Sequence, residues 1–139
     1  MTTRLVFLYR SFMEEKHHQE LINSITNDLD TILEGSQQAI YIYLDDAHKA
    51  CNENFARLLG YDSPKDWAAV HDSFTENFVD KKSQQSLVTA YKNAMEKLSG
   101  SSLEVNWKTK TGKSIRTQVI LVPIVHNHHL FALHFISKI

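Results

Sequence analysis

Apolar and polar positions recur with different periods along the chain, and each period predicts a different element. In the first third, Ile22, Ile25, Leu29 and Ile32 follow 3-4-3 spacing, which puts them on one face of a helix. Ser11 with Glu14 matches a capping box, in which the hydroxyl accepts a first-turn amide and the carboxylate reaches back. Gly35 then stands as the expected C′ residue of that helix. Residues 3–10 read equally as an extension of the helix or as a separate segment. The stripe has two open uses, a cap on the chain's own domain or a dimer helix, and too few heptads are present for a free-standing coiled coil.

From Gln38 the period drops. Ala39-Ile40-Tyr41-Ile42-Tyr43-Leu44 is β-branched and aromatic and is ended by Asp45-Asp46, which predicts a strand and a turn. A second short strand is expected from His48 to Cys51. Asn52 can cap a short helix with its side-chain oxygen, Glu53 suits the first turn, and Gly60 stops it. Phe55, Leu58 and Leu59 share a face of that helix. Ser63-Pro64 starts another short helix, with Pro at its first position. Residues 80–98 predict the longer central helix, with Leu87, Tyr91, Ala94, Met95 and Leu98 on one stripe.

The last forty residues predict three antiparallel strands. Leu103, Val105 and Trp107 alternate with Glu104, Asn106 and Lys108, giving one wet face. Gly112 supplies the positive φ of a hairpin turn after Thr111. The strands Ile115 to Val125 and Leu130 to Ile136 are apolar on both faces. Such a sheet must be covered on both faces, by helices on one and by the N-terminal helix, a second protomer or both on the other.

The run Asn52-Glu53-Asn54-Phe55-Ala56-Arg57-Leu58-Leu59-Gly60-Tyr61 resembles the "N-x-x-F-x-x-L-L-G-Y" motif near the start of PAS sensor domains, and Lys110-Thr111-Gly112-Lys113 resembles that family's "K-D-G-R" turn. Glu53 stands where the family often has Pro, and Thr111 where it has Asp. The order of predicted elements over residues 36–137 is similar as well. The resemblance implies an α+β fold: a five-stranded antiparallel sheet with short helices on one face, here preceded by an N-terminal amphipathic helix. It implies two parts, residues 1–35 as a helical cap or dimerisation segment and 36–139 as the sensor domain.

Composition narrows the function. One domain's worth of residues, 139, carries 15 basic and 16 acidic side chains, so no basic face for nucleic acid is indicated. Leu5-Val6-Phe7-Leu8-Tyr9 is too short for a membrane span or a signal core, which makes a cytoplasmic protein the expectation. A lone Cys51 fits a reducing compartment and precludes an internal disulfide framework.

Candidate chemistry is sparse. Cys51 precedes the early motif and lacks the "N-C-R-F-L" setting of flavin photosensors, so it reads as a small strand residue. No His lies in residues 80–98, where related haem sensors place theirs; His71, just upstream on an expected loop, is the one alternative haem ligand, and neither flavin nor haem is expected. His126, His128, His129 and His134 form the densest His group, but they fall at an expected hairpin turn around Asn127 and read as a solvated polar turn, not a metal site. His17-His18 read as surface, and Asp45-Asp46 as solvated loop carboxylates, so no metal is expected. No nucleophile elbow or phosphate-binding glycine loop appears, which argues against an enzyme. Tyr41, Phe55, Trp67, Phe74, Phe78, Tyr91 and Trp107 are the candidates to line a pocket, or else they fill the core.

Three functions follow. The first is a PAS-type sensory module, homodimeric, binding a small apolar or aromatic ligand and signalling to a protein partner. The second is a ligand-free interaction module using the sheet face and the N-terminal helix. The third is a small cone-shaped α+β enzyme or binding protein, for which His134 is the one titratable group near the expected cavity.

Overall fold

A computed structural model describes residues 3–139, with side chains from residue 10 onward and at residue 6. The chain runs α1 (Thr3–Asp28), α2 (Asp30–Gly35), β1 (Ala39–Asp45), β2 (His48–Cys51), α3 (Glu53–Leu58), α4 (Pro64–Ala68), α5 (Phe74–Phe78), α6 (Lys81–Lys97), β3 (Ser101–Lys108), β4 (Ser114–His126) and β5 (His129–Lys138). The strands form one antiparallel sheet of order β2-β1-β5-β4-β3. The first two strands sit beside the last, so the sheet closes on itself in sequence while its edges remain β2 and β3.

Two cores form because the sheet buries both faces. The inner face, covered by α3 to α6, gathers Tyr41, Phe55, Leu59, Trp67, Phe78 and Trp107, all but sealed from solvent. The outer face of β1 and β5 carries Ile40, Ile42, Leu44 and Phe131, and α1 and α2 cover it with Leu21, Ile22, Ile25 and Leu33. The N-terminal helices therefore lie on the sheet of their own chain. Their cover stops short of β3 and the near half of β4, where Ile120 is 48% exposed.

Local signals place the inner helices. Asn52 accepts the Phe55 amide at 3.0 Å and so starts α3, while its oxygen also takes the Ile40 amide and its nitrogen donates to the Gln38 carbonyl. Ser63 accepts the Asp66 amide and Pro64 opens α4. Gly60 and Gly112 adopt φ of 84° and 89°, which lets the chain turn after α3 and between β3 and β4.

Several expectations are corrected. Ser11 starts no helix, since α1 runs unbroken through it. The 22-25-29-32 stripe does not continue as one face. The chain breaks at Leu29, between α1 and α2, and the resulting change of phase buries Leu33 and leaves Ile32 55% exposed. Gly35 is the last residue of α2 and not a left-handed C′ residue. Leu98 leaves the α6 stripe because it takes the left-handed C-cap position at φ 54° and is exposed.

His17 and His128 are exposed as expected, but His18, His126 and Asp45 are not merely solvated. His18 Nδ1 lies 2.8 Å from Asp45, and His48 is buried between Asp45 and Glu15. At the other end of α1, His126 Nε2 meets Asp28 at 2.7 Å and Asn127 donates to Ser24. The β4–β5 turn is thus as expected in its backbone, with Asn127 and His128 both left-handed, but it clasps α1.

Candidate functional site: a cavity beside Tyr41 and His134

Strand register decides what faces the inner core. Tyr41 on β1 is paired with His134 on β5, and alternation sends both side chains inward. Their rings stack, with centroids 3.8 Å apart and planes 10° from parallel. On one side of this pair lies packed aromatic core: Phe55 and Trp107 meet Tyr41 with centroids 4.8 and 5.6 Å away. On the other side lies a cavity of about 330 Å³, a size suited to a small organic molecule.

Three walls define the cavity. The sheet supplies Tyr41, Tyr43 and His134; α5 supplies Phe74 and Thr75; α6 supplies Leu87, Val88 and Tyr91. Asp46 and Lys92 border it with charge. The lining is thus mainly apolar and aromatic with a few polar tips.

Two polar atoms of the lining residues have no partner and are sealed behind the cavity wall. The Tyr41 hydroxyl and His134 Nδ1 are buried and make no hydrogen bond to the protein, although both residues line the cavity. A buried polar atom without a partner costs about 1–3 kcal/mol, and such atoms gather where something else completes them. Trp67 Nε1 is also unpartnered, but Trp67 does not line the cavity. Trp107 is satisfied, since its indole donates to Thr117 at 2.8 Å and the Thr117 hydroxyl donates onward to the Val105 carbonyl.

Burial sets the protonation of the lining. It holds the His134 imidazole down to about 3, so the ring is neutral. It also pushes the Tyr41 phenol well above its ordinary value. Tyr43 is raised by burial and by its hydrogen bond to Asp46. Cys51 is buried on β2, away from the cavity, with its thiol pushed up to about 12 by burial. Lys49 is buried against Trp67 and Phe78, and its ammonium donates to the carbonyls of Asp46, Ala68 and Val70. Burial lowers it to about 8.

Of the seven aromatic candidates, Tyr41, Phe74 and Tyr91 line the cavity, whereas Phe55, Trp67, Phe78 and Trp107 fill the core behind it. Sequence reasoning did not place Tyr43, Val88 or Lys92 at the cavity. The alternation of β1 held the signal for Tyr43, and the i, i+3, i+4 rows of α6 held it for Val88 and Lys92.

No family model and no curated protein matches the chain. Solved structures do. The PAS domain of an HTR-like protein from Haloarcula marismortui matches with a TM-score of 0.59 at 17% identity, covering 89% of this chain and 99% of that one. A PAS domain from Colwellia psychrerythraea gives 0.64 at 15% identity, covering 83% and 97%. The PAS domain of nitrogen regulation protein NR(II) from Vibrio parahaemolyticus gives 0.58 at 20% identity, covering 78% and 95%. The chain therefore has the PAS fold, in the α+β arrangement that its motifs imply. No helix among the described residues is long and apolar enough to cross a membrane.

Proposed function

We propose that this chain is a sensory signalling module that takes a small, largely aromatic ligand into the cavity between Tyr41, His134 and α6. The cavity beside the buried, unpartnered Tyr41 hydroxyl and His134 Nδ1 carries this reading, because a ligand that displaces the wall enough to reach them would complete both. The PAS domains of similar fold, among them one from a two-component sensor histidine kinase, support the signalling half. Output would run through the sheet. Tyr41 and Tyr43 flank Ile42, whose side chain meets the α1–α2 cover on the opposite face. A ligand that favours one packing of β1 would change how α1 sits, provided it binds the two packings unequally. A second copy or a signalling protein would read that change.

Native mass spectrometry of the freshly purified full chain, beside a Val88→Trp variant, tests the proposal. Val88 is half-buried on the cavity wall, so the larger ring fills the space from the α6 side and leaves both members of the stacked pair in place. A reproducible excess mass on the wild type, lost in the variant, is expected. A bare wild-type mass, together with no response of cavity resonances to a library of small aromatic compounds, would overturn it in favour of a ligand-free interaction module.

A further inference from the structure

We propose that His18, Asp45 and His48 form a binding site for one divalent transition ion of the zinc class, fastening α1 to the β1–β2 turn. The three side chains come from two segments far apart in sequence, yet their ligand atoms lie within 4.8 Å of one another. The Asp45 carboxylate stands between two imidazoles: Oδ2 is 2.8 Å from His18 Nδ1 and Oδ1 is 2.7 Å from His48 Nδ1. Ligands around a tetrahedral zinc stand about 3.3 Å apart for bonds of about 2.0 Å. Admitting the ion therefore takes an opening of each contact by about half an ångström, with the two imidazole nitrogens, now within 4.8 Å, brought to the same spacing.

The surroundings suit such an ion. Asp45 is held in place by the amides of Ala47 and His48, at 3.0 and 2.8 Å. The His48 ring is 2% exposed, and its other nitrogen, Nε2, lies 2.8 Å from Glu15 Oε1. A carboxylate behind a ligating imidazole fixes the tautomer and the ring plane. Two imidazoles with one carboxylate select zinc, cobalt, nickel or copper over magnesium and calcium, which take oxygen alone. Both ring nitrogens of His48 face carboxylates, Nδ1 toward Asp45 and Nε2 toward Glu15. As ligands both imidazoles are neutral and bare at Nδ1; His48 keeps its proton on Nε2 and donates it to Glu15, and His18 carries its proton on Nε2. The ion's remaining position is open to water.

The site differs from the ligand cavity in place and in face. His48, on the outer face, meets α1, whereas the cavity lies under α5 and α6. Its failure and that of the ligand proposal are therefore separate.

Isothermal titration of the full chain with zinc chloride tests it, with far-UV circular dichroism on each variant. One zinc per chain is expected, with a rise in thermal midpoint. His18→Gln, at a half-exposed helix position, should weaken binding at least ~10-fold, and Asp45→Asn similarly. Glu15→Gln should weaken it by about 10-fold through loss of the support behind His48. His128→Ala, at the exposed β4–β5 turn, should bind as wild type. Cobalt should give the strong visible absorption of a four-coordinate site, absent in His18→Gln. Absence of saturable binding, or binding that survives His18→Gln unchanged, would overturn the proposal and leave an ion-free hydrogen-bonded clamp. His18→Gln alone decides if Asp45→Asn fails to fold.

Discussion

The imidazole of His134 lies flat on the phenol of Tyr41, with centroids 3.8 Å apart, across directly paired positions of β5 and β1. The stack is neutral on both sides, because burial disfavours imidazolium and phenolate alike. It joins the packed core to the cavity, so its state matters to both.

Acid should therefore weaken the fold through His134. The ring titrates at about 3 in the native chain against an ordinary value of 6.5. Between those values the unfolded chain binds the proton and the folded chain does not. Stability is thus lost as pH falls from about 6.5 toward 3, by roughly 1.4 kcal/mol per pH unit once the difference is fully developed. His134→Phe keeps a flat ring on Tyr41 and removes the titration. Urea unfolding at pH 7 and pH 4 should show the variant gaining on wild type by a few kcal/mol at the lower pH. Parallel pH profiles for the two proteins would show that His134 is charged, or relieved of burial, in the native state.

The docking of α1 on its own sheet separates two isoleucines that the stripe treats alike. Ile25 is fully buried against the outer face of β1 and β5, and Ile32 is 55% exposed. Ile25→Ala should cost about 2–5 kcal/mol, whereas Ile32→Ala should stay within about 0.5 kcal/mol. Equilibrium denaturation at two protein concentrations checks this. A large, concentration-dependent effect of Ile32→Ala would place that residue in a contact between chains.

The elements were legible where their signal was local. Asn52, Ser63-Pro64, Gly60 and Gly112 each mark a boundary within a few residues, and the structure ends or turns the chain at each. Alternation in β3 likewise marked Val105 and Trp107 as inward. What escaped depends on phase or on distance along the chain. The break at Leu29 carries no Gly or Pro, so nothing warned that the 3-4-3 stripe would lose its face. His18 with Asp45 is a pairing across 27 positions, and His126 with Asp28 across 98. Such pairs exist only once a helix has been laid on a sheet at one rotation. Whether Tyr41 faced cavity or core was a question of register, which pairing with His134 settles.

Two glycines should respond oppositely to alanine. A Cβ at either Gly35 or Gly112 meets nothing within 4 Å, so sterics against neighbours drop out. Gly35 closes α2 without a positive φ, and Gly35→Ala should stabilise by about 0.4–1 kcal/mol by lowering the entropy of the unfolded chain. Gly112 sits at φ 89°, and Gly112→Ala should cost about 1–2 kcal/mol. Thermal unfolding reads both, and a destabilised Gly35→Ala would mean that α2 ends with its last residue left-handed.

Asn52 carries more than a helix cap. Its oxygen accepts from Phe55 and from Ile40, and its nitrogen donates to the Gln38 carbonyl, so one side chain ties α3 to the start of β1. Ile40 also binds back, since its carbonyl accepts the Asn52 amide. Loss of a cap alone costs about 0.5–2 kcal/mol. Asn52→Ala also strips buried partners from the Ile40 amide, each such group costing about 1–3 kcal/mol, so a total of about 2–4 kcal/mol is expected. Asn52→Ser can restore the bond to the Phe55 amide but is too short to keep the bonds to Ile40 and Gln38, and should recover about 1 kcal/mol. Urea denaturation of the three proteins separates the contributions. An alanine variant within 1 kcal/mol of wild type would mean that water replaces the side chain, and that the strand and the short helix are held together by packing of Phe55 and Tyr41 alone.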